Sequence, residues 1–309
     1  MKINWDSEVL STVSKAVDQL EHLSINKDSI ESVADWLAYE EFPFPSSTAA
    51  RDDADDFIRA TMFMNTLNFA FTDFDKSIKY EINEDGKVLS DSEAMYFQVN
   101  NSISSGIKLT DGNIEMPMLK ERVEILNEVG QKLVDSYEGD WINFINNGPK
   151  KLYSNGDGLI ERLVDEFPRF NDSAQFKGSN VKFYKLAQLT FWVIHAELSG
   201  SNYFKIEDMN SMTAFADYII PVALNLKKIT TYTSQLDQKI KSGVLIERDS
   251  DEEIEIRIAS IFTTALLTES INERRPEDKA IIIPQLDYRL WKNYHATHYP
   301  HHLTYTTMY

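Results

Sequence analysis

The run NVKFYKLAQLTFWVIHAEL, Asn180 to Leu198, constrains the fold of this chain more than any other stretch. From Leu186 to Ile194 its apolar side chains point to nearly every side of a helix, and such a helix must be covered on all faces. The run falls short of the roughly 20 apolar residues that span a bilayer, so the cover has to be protein. A central helix packed inside other helices is therefore expected, and the remaining segments can supply them. Val9, Leu10, Val13, Val17 and Leu20 repeat at helical spacing, as do Ile30, Val33, Trp36 and Leu37 behind a cap at Asp28 or Ser29. Leu119, Val123, Leu126, Val129, Leu133 and Val134 give the clearest stripe, read as core. Further helices are expected through Leu159, Leu163 and Val164, through Ile206 to Leu224 with caps at Asp208 or Ser211, through Ile254 to Leu266, and over PQLDYRLWKNY, where Pro284 suits a first turn. Asp52, Asp53, Asp55 and Asp56 open another apolar helix, where negative charge meets the positive end of the helix dipole.

Only one strand signal stands out: Ile78, Tyr80 and Ile82 alternate, Asp85-Gly86 turns the chain, and Val88 follows. FPRFNDSAQFKG reads as a loop, and EEFPFP, with Phe42, Pro43, Phe44 and Pro45, as a turn that packs on something. The expectation is an all-α fold with one small β-hairpin. Gly139, Asn147-Gly148-Pro149 and Asn155-Gly156 break the chain between Tyr137 and Asp157, so any two subdomains divide there, as 1–138 and 158–309. Trp141 and Phe144 imply packing across the break, which favours one compact helical domain of 309 residues.

Charge narrows the function. Acids outnumber Lys plus Arg by 49 to 31, for a net charge of −18, and no window forms the basic stripe that a nucleic-acid backbone requires. A polymeric nucleic-acid partner is excluded on this ground; a small phosphorylated molecule is not, because two or three local cations hold one phosphate. There is no cysteine, hence no thiolate nucleophile, disulfide or cysteine-held metal. MKINWDSEVLSTVSK is acidic where a signal peptide is basic and then apolar, and no apolar run spans a membrane, so a soluble cytoplasmic protein is expected, its oligomeric state open. His295, His298, His301 and His302 could ligate zinc by spacing, but Pro300 interrupts any helix that would align them, and no metal is expected. Walker, GxGxxG, GxSxG and HExxH motifs do not occur.

What remains is a carboxylate-and-aromatic chemistry. SMTAFADYIIP sets Asp217 and Tyr218 inside an apolar run, and LDYRLW repeats the pattern with Asp287 and Tyr288. A carboxylate among apolar side chains costs several kcal/mol unless paired or used, and such surroundings move its pKa to where general acid or base work is possible. The plainer account is that each Asp caps a helix or pairs with a buried arginine such as Arg257 or Arg289. Asn68, in the apolar run TLNFAF, must likewise find partners, either a ligand or the neighbouring backbone.

The blocks TLNFAF, FYKLAQL, FADYIIP, LDYRLW and PHHLTYTTMY, in that order along the chain, resemble the signature blocks of the queuosine salvage family, the queuosine 5′-phosphate N-glycosidases. Where that family shows arginine, this chain has Leu186, Ile219, Leu303 and Tyr305, so the phosphate contacts lose cations. The resemblance implies an all-helical fold similar to the helical DNA glycosylases, and hydrolysis of the bond between queuine and ribose 5-phosphate without a cofactor. Hydrolysis of that kind passes through an oxocarbenium-like sugar that a carboxylate stabilises. The implied roles place Asp287 against the sugar and Asp217 against the base or its side-chain amine. Phe215, Tyr218, Tyr288 and Trp291 would wall or stack on the deazapurine, Asn68 would contact its polar edge, and Lys185 with His301 or His302 would hold the phosphate. Two other readings stay open: a nucleosidase for another small nucleotide, and a non-catalytic helical adaptor.

Overall fold

The computed structural model describes residues 2–42, 53–73, 78–102, 112–201, 203–297 and 299–309. Pro43, Phe44, Pro45, Asp52 and His298 lie outside the described residues. Among those described, twelve α-helices dominate. They are α1 (Glu8–Ala16), α2 (Lys27–Leu37), α3 (Ala54–Thr66), α4 (Asp91–Ser102), α5 (Leu119–Tyr137) and α6 (Trp141–Asn146) in the first half. The second half holds α7 (Leu159–Glu166), α8 (Lys185–Leu198), α9 (Ile219–Leu226), α10 (Ser234–Lys241), α11 (Asp251–Glu273) and α12 (Ile283–Tyr294).

The expected single hairpin is too few, since four antiparallel strand pairs occur among the described residues. One is the expected hairpin, β4 (Glu81–Glu84) with β5 (Lys87–Ser90), turned by Asp85 and Gly86 at φ 49° and 85°. Just before it, β2 (Thr72–Asp73) pairs with β3 (Ile78–Lys79). The stretch read as a loop is a second hairpin, β6 (Ser173–Phe176) with β7 (Ser179–Lys182), turned by Lys177 and Gly178 at φ 45° and 84°. Finally β1 (Leu23–Ile25) pairs with β8 (Thr230–Tyr232), tying the beginning of the chain to its second half.

The central helix is α8, with Leu186, Ala187, Phe191, Ile194 and Leu198 at most 2% exposed. It starts at Lys185 rather than near Asn180, because Val181 and Phe183 are buried from β7 and its exit, where their alternation serves a strand. The largest apolar cluster runs from Val9 in α1 to Ile283 in α12, taking in Trp141 and Phe144 of the segment between residues 138 and 158.

Three helix readings need correction. Asn26, whose side chain accepts from Ser29 N at 3.1 Å, caps α2 in place of Asp28 or Ser29. Trp36 is 46% exposed rather than buried, its ring covered by the Lys227 ammonium 4.5 Å away. On α5, Val123 and Val134 are 48% and 63% exposed while Arg122 beside them is fully buried. The guanidinium is drawn inward by the carbonyls of Leu67 at 2.6 Å, Ala70 at 2.9 Å and Pro117 at 2.8 Å, and also by that of Phe69. Leu67 O also accepts from Phe69 N at 2.9 Å; no other partner is seen for the other three oxygens among the described residues.

Candidate active site

Three helices each turn one stripe toward a common cavity of about 800 Å³. Phe57, Thr61, Met64 and Asn65 come from α3; Lys185, Leu189, Trp192, Val193 and Ala196 from α8; Asp287, Tyr288, Trp291 and Tyr294 from α12, with His295 just past its end. In each case the spacing is that of one helix face. The start of α4, the 68–72 turn and the C-terminal tail complete the wall.

SMTAFADYIIP is not one helix. After a short 3₁₀ turn at Met209–Ser211, residues 212 to 217 run without regular structure, and α9 begins only at Ile219. Asp208 does not cap this segment; its carboxylate accepts from Leu152 N at 2.7 Å and Tyr153 N at 3.1 Å. Residues 213–217 form a strap clamped at several points. Gln188 Oε1 accepts from Thr213 N at 2.8 Å, and Asp287 Oδ2 accepts from Phe215 N at 2.9 Å. Arg257 Nε donates to Ala216 O at 3.2 Å. Asp217 Oδ1 then accepts from Ile219 N at 2.8 Å and Ile220 N at 3.2 Å, capping α9, so that Pro221 falls in a first turn that needs no proline N–H. The plainer account of Asp217 as a cap thus holds, and it leaves Oδ2 uncommitted among the described residues. The buried-arginine account does not hold: Arg257 pairs with Asp172 and Arg289 with Glu40.

All ten residues singled out from the sequence line this cavity: Asn68, Lys185, Phe215, Asp217, Tyr218, Asp287, Tyr288, Trp291, His301 and His302. Asp287 is 4% exposed; burial pushes its carboxyl well above the usual range, and the neighbouring Asp217 adds to the effect. Asp217 is raised too, chiefly by burial, with Lys185 and the two backbone N–H groups pulling the other way. The surface that Asp217 and the 37%-exposed Tyr218 present is cavity wall, so both lie among protein atoms despite it. Lys185, 7% exposed, is lowered by burial, offset by the attraction of Asp217 and Asp287. No ion pair within 4 Å joins it to either acid. Two acids and one ammonium therefore share a poorly solvated space without cancelling in contact.

Aromatic rings line the rest. Tyr288 stacks on Trp291 at 6.4 Å, and His295, just past the end of α12, lies tilted against Trp291 at 4.5 Å. Opposite, Tyr218 lies 4.5 Å from His301. Burial lowers His301 and pushes His302 down to about 3, so both rings are neutral at neutral pH. His302 Nε2 sits 3.3 Å from the Tyr309 hydroxyl, which donates to Glu253 Oε1 at 2.8 Å. Asn68 Nδ2 donates to Asn65 Oδ1 at 3.2 Å. Of the arginine-for-apolar departures, Ile219 lines the cavity, whereas Leu186 is buried, Leu303 pairs with Leu245 and Tyr305 is 52% exposed. No group of three metal-ligating side chains occurs among the described residues.

Sequence reading missed Tyr309, Trp192 and the buried acids Asp172 and Glu253, and gave Arg257 the wrong partner. Trp192 follows from Lys185 by two helical turns, a findable signal; the others come together only through folding.

Comparison with known proteins identifies the family. Proteins named queuosine 5′-phosphate N-glycosylase/hydrolase from Sphaerobacter thermophilus, Bos taurus and Schizosaccharomyces pombe are 26%, 28% and 27% identical to this chain. The alignments cover 97%, 74% and 86% of this chain and 97%, 72% and 82% of those proteins. A family model described as queuosine salvage protein matches residues 110–309, which hold Lys185, both aspartates, α12 and the tail. With about two thirds of its length under that model and near full-length similarity to a relative so named, the chain belongs to the queuosine salvage protein family.

Proposed function

We propose that this chain hydrolyses the N-glycosidic bond of queuosine 5′-phosphate, releasing queuine and ribose 5-phosphate. The observation that carries the reading is the convergence of Asp217, Asp287 and Lys185 on one aromatic-walled cavity. Breaking the C1′–N bond sends its electron pair to the base and leaves positive charge on the sugar. A carboxylate in a low-dielectric wall stabilises that charge far better than one in water. Asp287, fixed by Phe215 N, takes this role, and water supplies the hydroxyl to C1′ while its proton ends on the nitrogen of the released base. Asp217, with one oxygen committed to α9, turns the other to the base or its secondary ammonium. The flat base lies between Phe215 and Tyr218 on one side and Tyr288 and Trp291 on the other, with Asn68 on its polar edge.

For the phosphate, Lys185 is the favoured contact. His301 is neutral, its one N–H on Nδ1 given to the His302 carbonyl at 2.9 Å, so its Nε2 has no proton for an anion, and His302, neutral and held to Tyr309, walls the cavity. The helical shell around a carboxylate pocket supports reading the fold as similar to the helical DNA glycosylases. The test is direct: incubate the protein with queuosine 5′-monophosphate and look for free queuine by mass spectrometry. Release is expected; none at high enzyme concentration overturns the reading.

A further inference from the structure

We propose that Asp172 and Arg257, neither of which lines the cavity, form a buried strut that positions Lys185 and Asp217 for the reaction. The inference rests on the hydrolase reading for its kinetic consequence and on the fold alone for its geometry.

Asp172 lies at the entry to β6 and Arg257 in the second turn of α11; they are 3% and 2% exposed. The guanidinium meets the carboxylate in a two-pronged pair, Nη1 to Oδ1 at 2.9 Å and Nη2 to Oδ2 at 2.5 Å. Each partner then reaches one side of the site. Asp172 Oδ2 accepts from Lys185 N at 3.1 Å, and its carbonyl accepts from Phe183 N at 2.9 Å and Tyr184 N at 3.0 Å. The N–H groups of the turn into α8, including that of Tyr184 held at φ 51° where a bulky side chain is strained, are thus all taken by Asp172, while Gln188 Nε2 holds the Phe183 carbonyl at 2.9 Å. Arg257 Nε donates to Ala216 O at 3.2 Å, the peptide that carries Asp217. Lys185 and Asp217 belong to segments some thirty residues apart in sequence, and this pair ties the backbone of one to that of the other.

The strut also reaches the tail. Arg257 lies over the Phe183 ring at 3.9 Å and the Tyr309 ring at 4.7 Å. Glu253 Oε1, 3.7 Å from Arg257 Nη1, takes the Tyr309 hydroxyl. A buried ion pair is a poor device for stability, since apolar residues of similar volume serve as well or better. What apolar residues lack is directed hydrogen bonding to Lys185 N and Ala216 O.

The test removes both charges of the pair and the acceptor of Lys185 N at once, Asp172→Leu with Arg257→Met; Glu253 stays buried with the Tyr309 hydroxyl as its partner. Folding is checked by circular dichroism and melting, kcat and KM by queuine release, and Lys185 by its pH-dependent acylation read by mass spectrometry. We expect a folded double variant with KM up about tenfold or more, because displaced Lys185 and Asp217 lose charge-assisted contacts to phosphate and base. The midpoint pH of Lys185 acylation should move up as the amine leaves its buried place. A folded variant whose Lys185 midpoint is unmoved overturns the proposal, whatever its KM; so does one with KM within threefold of the parent. If the parent protein releases no queuine, the hydrolase reading fails by itself and the acylation midpoint still decides the strut. If the double variant does not fold, Arg257→Lys, which keeps the charge but not the fork, is read by the same two measurements.

Discussion

Asp287→Asn separates the catalytic from the structural meaning of the most deeply buried acid in the cavity. The amide keeps an oxygen for Phe215 N, now 2.9 Å from Oδ2, so the strap at residues 213–217 stays anchored. Exchanging a charged acceptor for a neutral one gives up about 1 kcal/mol. Against this stands the cost of a carboxylate that is 4% exposed beside a second acid. Each unit by which the folded pKa exceeds the unfolded one costs about 1.4 kcal/mol once both states are ionised, and this pKa is raised well above its ordinary value. The variant should therefore be more stable at neutral pH. The sign follows from proton binding: below pH ~4 native and unfolded chains both hold the proton and the residue makes no difference. Above it the unfolded chain releases its proton while the native state keeps it, so the parent loses stability as pH rises toward the folded pKa. The gap between variant and parent should widen over that window. Activity goes the other way: losing the charge opposite a developing cation costs on the order of 10³-fold in kcat. Melting curves at several pH values from 4 to 8, together with queuine release, test both halves. A variant with kcat within tenfold of the parent refutes the assignment of the chemical step. A variant less stable by an amount independent of pH refutes the electrostatics.

Asp217→Asn should keep the cap on α9, because the amide oxygen still accepts from Ile219 and Ile220; stability changes by less than about 1 kcal/mol, while KM rises about tenfold from loss of a charge-assisted contact. Lys185→Met should raise KM for queuosine 5′-phosphate by about 10- to 100-fold. The acid limb of its pH–rate profile should move to higher pH, since the ammonium that favours ionised Asp217 and Asp287 is gone. Arg122→Met orphans carbonyls of Phe69, Ala70 and Pro117, while Leu67 O keeps Phe69 N; denaturant unfolding should show a loss of about 3 kcal/mol or more, with a raised KM as the Asn68 wall loosens.

Legibility in the sequence followed the range of the interactions. Helices with a single apolar face, such as α1, α7 and α12, were readable because one period decides their burial. The Asp85-Gly86 hairpin was readable because its turn needs two residues at positive φ. The hairpin at residues 173–182 carried the same signals, with Ala174, Phe176 and Val181 buried in alternation around Lys177-Gly178, but Val181 and Phe183 also fit the period of the helix that follows. The β1–β8 pair joins residues some two hundred apart and leaves no local trace. In the site, the Asp-Tyr pairs were legible as carboxylates too costly to bury idly. The partner of Arg257 was not, since Asp172 sits in a polar turn that resembles any other.

The charge of the whole chain and the charge of the cavity answer different questions. At −18 the protein repels a polyanion, but at physiological salt that field is screened over about 8 Å, while groups in a buried wall are screened far less. Of the two lysines on the cavity wall, Lys79 is paired with Asp91 at 2.9 Å, which leaves Lys185 as the unpaired ammonium among the described residues. Its partners at a distance are the two acids that the chemistry needs ionised. One cation thus does two things: it attracts the substrate's phosphate, and it keeps Asp217 and Asp287 from both remaining protonated. A second unpaired cation would strengthen both effects, but by drawing the carboxylates into contact pairs it would take them out of reach of the sugar. Holding Lys185 in the cavity, yet more than 4 Å from either acid, is what the backbone anchors at Asp172 and Phe215 make possible.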